Sequence, residues 1–243
     1  MPKIDVVLTK EALDPNHNPE AVAVVLDIIF ATTSMSAAFS AGISSLIPAI
    51  DFTEAKNIST SLHEEEWMLA GEDNAQAFSG HLSYEPLALL GTELKGKTLI
   101  HTTTNGTVAL KNAGSFQTTY AASLLNGEAT AMHLLQNKQA DQDIVIVCAG
   151  SKGWFALEDF YGAGHLINHL QRLRSRSYQL SDTAQAALAS YKQLAPYDAL
   201  INSRLGQFMQ ARKLNKSLEY SAQLDCFTTV LIYDQGRVKR TEL

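Results

Sequence analysis

The stretch "AVAVVLDII", residues 21–29, decides the fold class, because it is a nearly continuous apolar run. Such a run predicts a β-strand that is buried on both faces, as in a parallel sheet covered by helices. The next residues, "ATTSMSAAFSAG", are mostly small and end at Gly42, which predicts a helix stopped by a glycine. A buried strand followed at once by a helix is the repeating unit of an α/β protein.

The same alternation continues along the chain. The runs "SSLIPAI", "KTLIH", "QTTYAAS" and "DIVIVCAG" predict further strands, each followed by a segment of helical periodicity. Asp51 is placed to cap the helix that follows it. The C-terminal part differs, because two or three successive helices over 181–212 precede a hairpin that turns at Asp234-Gln235-Gly236.

We therefore predict a single α/β domain over residues 1–243. Its sheet is expected to be mostly parallel and flanked by helices, with a C-terminal helical segment and a terminal hairpin. The segment 64–90 is the least regular part of the sequence and is a candidate lid or inserted lobe.

Composition excludes several classes of protein. The 243 residues are 46% hydrophobic, and the net charge is −6. Nucleic acid is therefore not an expected partner, although basic residues cluster in "QRLRSRS" (171–177), which we interpret as a solvated helix end. No apolar run reaches the roughly 18 residues of a membrane span, and no signal peptide is evident. Two cysteines without metal spacing predict reduced thiols in a cytoplasmic protein, and a homo-oligomer is compatible with the apolar content.

Polar residues recur where three predicted strands end. "VVLDIIFATTS" carries Asp27 and Thr33, "IHTTTNGT" carries the threonine triplet, and "VIVCAGSKG" carries a glycine-rich loop. Ligands of open parallel sheets bind beyond the strand ends, where helix N-termini present free N–H groups. Hydroxyls, an amide and a glycine that permits close approach suit an anion such as phosphate. Helix capping by Thr104 or Asn105 is the alternative, and it does not explain the recurrence at three strand ends.

Three carboxylates stand out beside these segments. Asp27 lies in or near an apolar strand, where a carboxylate is costly unless it is paired or bound to a cation. Glu158 and Asp159 are adjacent on a predicted helix and point about 100° apart, so one of them is expected to face the site. Hard oxygen ligands favour Mg²⁺ over zinc. We predict Asp27, Glu158 and Asp159 as catalytic and metal-binding residues.

The nucleophile stays open at this point. A metal-bound water is one candidate. Cys148 is the other, because a thiol before a glycine loop can have a lowered pKa. A packing role for Cys148 is favoured.

These segments resemble the 2-phosphosulfolactate phosphatase (ComB-like) family. The similar stretches are "VVLDIIFATTS" (24–34), "TTTNGTVAL" (102–110), "SLLNGEATA" (123–131) and "VCAGSKGWFALEDFYGAG" (147–164), with weaker similarity in "LAGED" (69–73) and "LEYSAQLD" (218–225). They span most of the chain in the right order. The resemblance implies an α/β fold, magnesium dependence and hydrolysis of a phosphate monoester, which in that family is 2-phosphosulfolactate, on the route to coenzyme M.

The sequence also departs from the family pattern. Phe30 stands where that pattern has an arginine, Asp73 stands where an arginine is usual after Gly-Glu, and "GHLSYEPL" (80–87) matches poorly. Removing a charged partner of a bound anion costs about 2–5 kcal/mol. Lys152 and Arg204 are candidates to supply replacement charge.

Two functions are consistent with these observations. The first is a Mg²⁺-dependent phosphatase that acts on a small anionic phosphorylated metabolite, either 2-phosphosulfolactate-like or diverged. The second is a non-catalytic homologue that serves as a ligand-binding or scaffold protein. The predicted substrate-binding residues are Thr33, Thr103, Thr104, Asn105, Gly106, Gly150, Lys152 and Arg204.

Overall fold

The strands form one mixed sheet in a computed structural model that describes residues 1–14, 16, 18–73, 76–138, 141–173 and 178–241. In chain order, the strands are β1 (Lys3–Val7), β2 (Val22–Leu26), β3 (Ser45–Ala49), β4 (Trp67–Asp73), β5 (Gln76–Ala77), β6 (Thr98–Thr102), β7 (Thr118–Ala122), β8 (Ile144–Cys148), β9 (Gln179–Leu180), β10 (Val230–Asp234) and β11 (Arg237–Thr241). Across the sheet their order is β5-β4-β6-β3-β11-β10-β7-β2-β8-β1-β9.

Helices cover both faces of this sheet. They are α1 (Ala31–Ser40), α2 (Phe52–Ser59), α3 (Pro86–Leu90), α4 (Gly106–Asn112), α5 (Gly127–Asn137), α6 (Leu157–Leu173), α7 (Asp182–Gln193), α8 (Pro196–Ile201), α9 (Arg204–Ala211) and α10 (Asn215–Ser221). Strand β2 shows why both faces are covered. Val24 and Leu26 pack into the core beneath α5 and α6, whereas Ala23 and Val25 pack into the core beneath α1 and α4.

The predicted α/β architecture is confirmed. Every strand and helix predicted between residues 21 and 173 is present, and Asp51 caps α2 by accepting a hydrogen bond from the Glu54 N–H at 2.7 Å. The helical segment 181–212 contains α7, α8 and α9. Strands β1, β4, β5 and β9 and helices α3 and α10 were not anticipated. The end of the basic stretch, residues 174–177, lies outside the described residues.

The terminal hairpin, β10 and β11, lies in the middle of the sheet. It separates β3 from β7, and the three pairings β3–β11, β11–β10 and β10–β7 are all antiparallel. Strands β3, β6 and β4 therefore run opposite to β7, β2, β8 and β1. A single parallel rim is thus the wrong description of the sheet. A twist of about 20–25° at each pairing accumulates over the five steps from β6 to β2 and rotates the ends of these strands towards each other.

The segment 64–90 does not form a separate lobe. Strand β4, within this segment, pairs in parallel with β6 over Trp67–Gly71, so this part of the segment belongs to the main sheet, and Glu72 and Asp73 pair with β5. The later part packs on α1, where the Ser34 hydroxyl donates to the backbone oxygen of Tyr84 at 2.6 Å.

Cys148 and Cys226 are both free thiols. Within the described ranges, every helix is too short or too polar to traverse a lipid bilayer.

Close packing of α6 on α7 depends on Gly164. A Cβ at this position would lie 2.1 Å from the backbone oxygen of Ala187 and 2.7 Å from the Cβ of Tyr191. Helix α6 carries two of the predicted metal ligands, Glu158 and Asp159, at its start. Its position against α7 therefore also positions these carboxylates.

We predict that Gly164→Ala lowers the free energy of unfolding by about 1–3 kcal/mol, the usual cost of overpacking. The clash is expected to outweigh the gain in helix propensity of about 1 kcal/mol. Urea denaturation measures the difference. Gly91→Ala is the matched control, because a Cβ there meets no atom closer than 3.7 Å. Equal stability of the two variants would contradict the close approach of α6 and α7.

Candidate functional site

The turns after β2, β6 and β8 meet the start of α9 around a cavity of 520 Å³. This volume lies within the range of about 300–1,000 Å³ that is usual for small-molecule sites. Nine of the predicted site residues line the cavity: Asp27, Thr103, Thr104, Asn105, Gly150, Lys152, Glu158, Asp159 and Arg204. Thr33 and Gly106 do not line it, and the Thr33 hydroxyl instead donates to the backbone oxygen of Ile28.

Asp159 connects two of these turns. Its Oδ1 accepts a hydrogen bond from the Ile28 N–H at 2.9 Å, and its Oδ2 accepts one from the Gly150 N–H at 3.0 Å. Hydrogen bonds to a charged acceptor are the stronger kind. The side chain of Asp159 therefore holds the β2–α1 turn and the loop after β8 against the first turn of α6. Both Glu158 and Asp159 line the cavity, although only one of the two was expected to face it.

Gly106 brings the start of α4 against Asp27. A Cβ at Gly106 would lie 2.3 Å from the Cβ of Ala31 and 2.6 Å from Oδ2 of Asp27. Only glycine permits this approach, because any side chain would displace either the carboxylate or α1. The structure thus places Gly106 behind Asp27 rather than on the cavity wall.

The threonine hydroxyls largely serve the protein itself. Thr103 Oγ1 accepts from the Thr107 N–H at 3.1 Å, and Thr107 Oγ1 accepts from the Thr103 N–H at 3.1 Å. The hydroxyl and the N–H of Thr104 both donate to the carboxylate of Glu72, at 3.1 and 2.6 Å. Asn105, the N-cap residue of α4, makes no side-chain capping hydrogen bond. Instead, the Thr103 hydroxyl accepts an N–H of the first turn of α4, and Glu72 accepts the proton of the Thr104 hydroxyl.

Asn105 is oriented by two donors. Its Oδ1 accepts from Nζ of Lys10 at 2.9 Å and from the Lys152 N–H at 3.2 Å. This assignment leaves the two N–H groups of Nδ2 as the part of the side chain available to an anion. Sequence reasoning missed Lys10, which is buried and separated from Asn105 by 95 residues. The sequence feature that could have indicated Lys10 is its position a few residues after β1, a short strand that was not predicted.

Negative charge dominates the cavity wall. Four carboxylates line it, namely Asp27, Glu72, Glu158 and Asp159, against two cationic side chains, Lys152 and Arg204. Removal from solvent, together with the charges of Glu158 and Glu72, raises the pKa of Asp27 to about 7. Burial also raises the pKa values of Glu158 and Asp159. Such a cluster requires either protons or a cation.

Aromatic residues also line the cavity. Phe30, Trp154, Phe155 and Phe208, which we call the aromatic wall, belong to the lining, and Trp154 is 68% exposed. Phe30 packs edge-on against Tyr84, with ring centroids 4.8 Å apart. The position at which the resemblance implies an arginine is thus occupied by part of the aromatic wall. Asp73, the second departure, is exposed and lies outside the cavity lining.

Cys148 is placed differently from a reactive thiol. It is fully buried at the end of β8 and does not line the cavity. Burial, with the charges of Asp159 and Glu158, raises the pKa of the thiol well above its usual range. The protonated form is therefore favoured, and packing is the role that the structure supports.

Fold and site together define an α/β protein whose acidic cavity is built where the turns after β2, β6 and β8 converge. A family model described as 2-phosphosulpholactate phosphatase matches residues 7–236. A protein of Carboxydothermus hydrogenoformans is 36% identical, over 94% of this chain and 92% of its own length, and one of Caldanaerobacter subterraneus is 32% identical, over 93% and 90%. Both are named probable 2-phosphosulfolactate phosphatase. The chain belongs to the 2-phosphosulfolactate phosphatase family.

We predict that the metal-free protein loses stability as the pH rises from about 4 to about 7. The pKa of Asp27 is about 7 in the folded protein, against an ordinary value of 3.8, so the unfolded chain loses this proton first. The free energy of unfolding therefore falls across this interval. Urea denaturation in EDTA at several pH values measures the slope. Asp27→Asn cannot ionise and should flatten it, whereas parallel pH profiles for the two proteins would contradict the assignment.

Proposed function

We propose that this protein is a phosphatase that hydrolyses a small phosphate monoester in the acidic cavity, with Mg²⁺ held by Asp27, Glu158 and Asp159. One observation carries the proposal: four carboxylates face two cationic side chains around a cavity of small-molecule size. An anionic substrate alone would be repelled by this wall, whereas an anion together with a divalent cation would be attracted. Relatives that are named probable phosphatases support the same reaction class.

The residues present suit magnesium. The donors are carboxylate oxygens, which are the hard ligands that Mg²⁺ takes alongside water and substrate phosphate. Each oxygen of Asp159 already accepts one backbone N–H, but a carboxylate has about four acceptor sites, so both oxygens can take a second partner. Bound magnesium would neutralise phosphoryl charge and make a bound water more acidic.

The chain supplies three groups for the phosphoryl oxygens. Asn105 offers its Nδ2 hydrogens, while Lys152 and Arg204 offer positive charge at the cavity mouth. Lys10 keeps Asn105 in position through Oδ1. Thr103, Thr104 and Gly150 line the same wall, where the backbone close to Gly150 is fixed by Asp159.

Proton transfer falls to Asp27 and Glu158. Burial raises both pKa values in the metal-free protein, and a bound cation would lower them, which keeps the carboxylates in the ionised form that can accept a proton from an attacking water. Glu158 also has a hydrogen bond with Ser203 and lies near the charge of Arg204, and these two contacts partly offset the effect of burial on its pKa. Asp159 is less suited, because each of its oxygens already accepts a backbone N–H.

The substrate class follows from the two walls. The names of the relatives point to 2-phosphosulfolactate. The aromatic wall, which includes Phe30, favours a second candidate, a phosphate ester in which an apolar group replaces the sulfonate. The two cationic side chains of the lining, Lys152 and Arg204, are already assigned to the phosphoryl group, so a sulfonate would have no cationic partner from the lining. A panel that holds phosphate constant and varies the other substituent separates the two candidates.

We predict that the protein releases inorganic phosphate from 2-phosphosulfolactate or from a panel of related esters only when Mg²⁺ is present. Asp27→Asn is expected to lower kcat/KM by about 30- to 4,000-fold, the equivalent of about 2–5 kcal/mol for a lost charged partner. Asp182→Asn, at an exposed position on α7, is the matched control. Absence of turnover across the panel in every variant would favour the non-catalytic alternative.

We also predict that Cys148→Ala retains turnover within a few-fold of the wild type. The thiol is buried and outside the cavity lining, and burial raises its pKa, so a water is the nucleophile that the geometry favours. Steady-state phosphate release from the folded variant measures this, with circular dichroism as the check on folding. Loss of activity in a variant that remains folded would instead assign the nucleophile to Cys148.

A further inference from the structure

Helix α6 carries a second cluster of potential ligands, on its own later turns. His165 and His169 are one helical turn apart, and both are buried. Asp225 reaches them from the loop after α10, and its side chain is 19% exposed. At a rise of about 1.5 Å per residue, His165 lies about 9 Å and His169 about 15 Å along the helix from Asp159. The cluster is therefore separate from the acidic cavity.

Three ligand atoms converge at one point. Nε2 of His169 lies 2.9 Å from Nε2 of His165 and 2.9 Å from Oδ2 of Asp225, and Nε2 of His165 lies 3.1 Å from the same oxygen. A metal ion at about 2.0–2.1 Å from all three atoms would sit about 1 Å above the plane of this triangle. The spacing of the atoms thus matches one face of a coordination shell.

With Asp225 ionised, no arrangement of protons satisfies all three contacts. A neutral or charged imidazole carries at most one proton on Nε2. If both histidines carry it, two N–H groups oppose each other at 2.9 Å. If one carries it, the other nitrogen directs a lone pair at the carboxylate. A central cation resolves the conflict, because all three atoms then direct lone pairs at it.

We propose that His165, His169 and Asp225 form a site for a divalent transition metal, with zinc as the expected ion. Two imidazoles and one carboxylate are a donor set that zinc favours, and Mg²⁺ prefers oxygen ligands. The partial exposure of Asp225 provides the route of entry and leaves room for a water as a further ligand. The ion would join α6 to a loop 56 to 60 residues further along the chain.

Surrounding residues already hold two of the ligands. Oδ1 of Asp225 accepts from the Glu128 N–H at 2.7 Å, so Oδ2 is the oxygen directed at the histidines. Arg172 contacts Nδ1 of His169 at 3.2 Å and forms an ion pair with Glu128, whose Oε1 lies 3.9 Å from the same Nδ1. A metal-bound His169 would carry its proton on Nδ1, and Glu128 is the nearby carboxylate that can accept it. The Arg172 side chain is 58% exposed and can move aside.

Zinc binding to the full chain, in the presence of excess Mg²⁺, tests the site. Equilibrium dialysis with metal analysis gives the stoichiometry, and thermal unfolding gives the stabilisation that a bound ligand produces. The wild type is expected to bind one zinc ion per chain at this site and to melt at a higher temperature with zinc than with EDTA. Visible absorption of the Co²⁺-substituted protein reports nitrogen ligation directly.

Asp225→Asn is the informative variant. Asp225 has a φ of 52°, a conformation that asparagine tolerates well, and the amide oxygen can still accept the Glu128 N–H. Because loss of an outer partner of a metal ligand costs about 10–100-fold, loss of a ligand should weaken zinc binding by at least about 100-fold. His169→Gln should have the same effect. His63→Gln, at an exposed position, is the matched control.

Two results would overturn the site. One is zinc affinity that is unchanged in both Asp225→Asn and His169→Gln, and the other is a wild type that zinc fails to stabilise. Asp27→Asn separates this test from the phosphatase proposal, because it should lower kcat/KM by about 30- to 4,000-fold and leave zinc binding intact. If the protein binds zinc but hydrolyses no ester, the zinc site is supported and the proposed phosphatase function is contradicted.

Discussion

The arrangement of the cavity depends on one carboxylate, Asp159, which accepts the N–H groups of Ile28 and Gly150. These residues belong to turns that are 122 positions apart in the sequence, and α6 brings the carboxylate to both of them. The position of Asp27 follows from the first turn, and that of Lys152 follows from the second. The same helix packs closely against α7 because Gly164 has no side chain. The position of α6 therefore determines both how the helices pack and where the acidic groups lie.

The cost of this arrangement is electrostatic. Glu72, Glu158 and Asp159 are buried, and Asp27 is only partly exposed. Their pooled charge is partly offset by Arg204, by Lys152 and by the backbone N–H groups around Asp159. So many carboxylates held together lower the stability of the protein at neutral pH unless protons or a cation neutralise them. The aromatic wall adds no charge to the cavity lining.

Local patterns predicted what is local in this structure. The strand 21–29, the helix after it and the cap at Asp51 each follow from adjacent residues, and all are present. The meeting of Asp27, Asn105 and Glu158 was predicted from strand ends, although β6 runs opposite to β2. Long-range features left no comparable signal. The Lys10–Asn105 contact spans 95 residues, and the partner of the histidine pair lies far along the chain at Asp225, so neither is visible in a local pattern.

The central position of β10 and β11 has a consequence for how the chain folds. The nine other strands of the described residues precede this hairpin in the sequence. Strands β3 and β7 are not paired with each other and are connected within the sheet only through the hairpin. During synthesis, the two groups of strands must therefore wait with open edges, which are the surfaces most prone to mispairing between chains. Contacts between residues so distant in sequence also form slowly. Until the hairpin has formed, the sheet is therefore divided into two groups of strands, each with an unpaired edge.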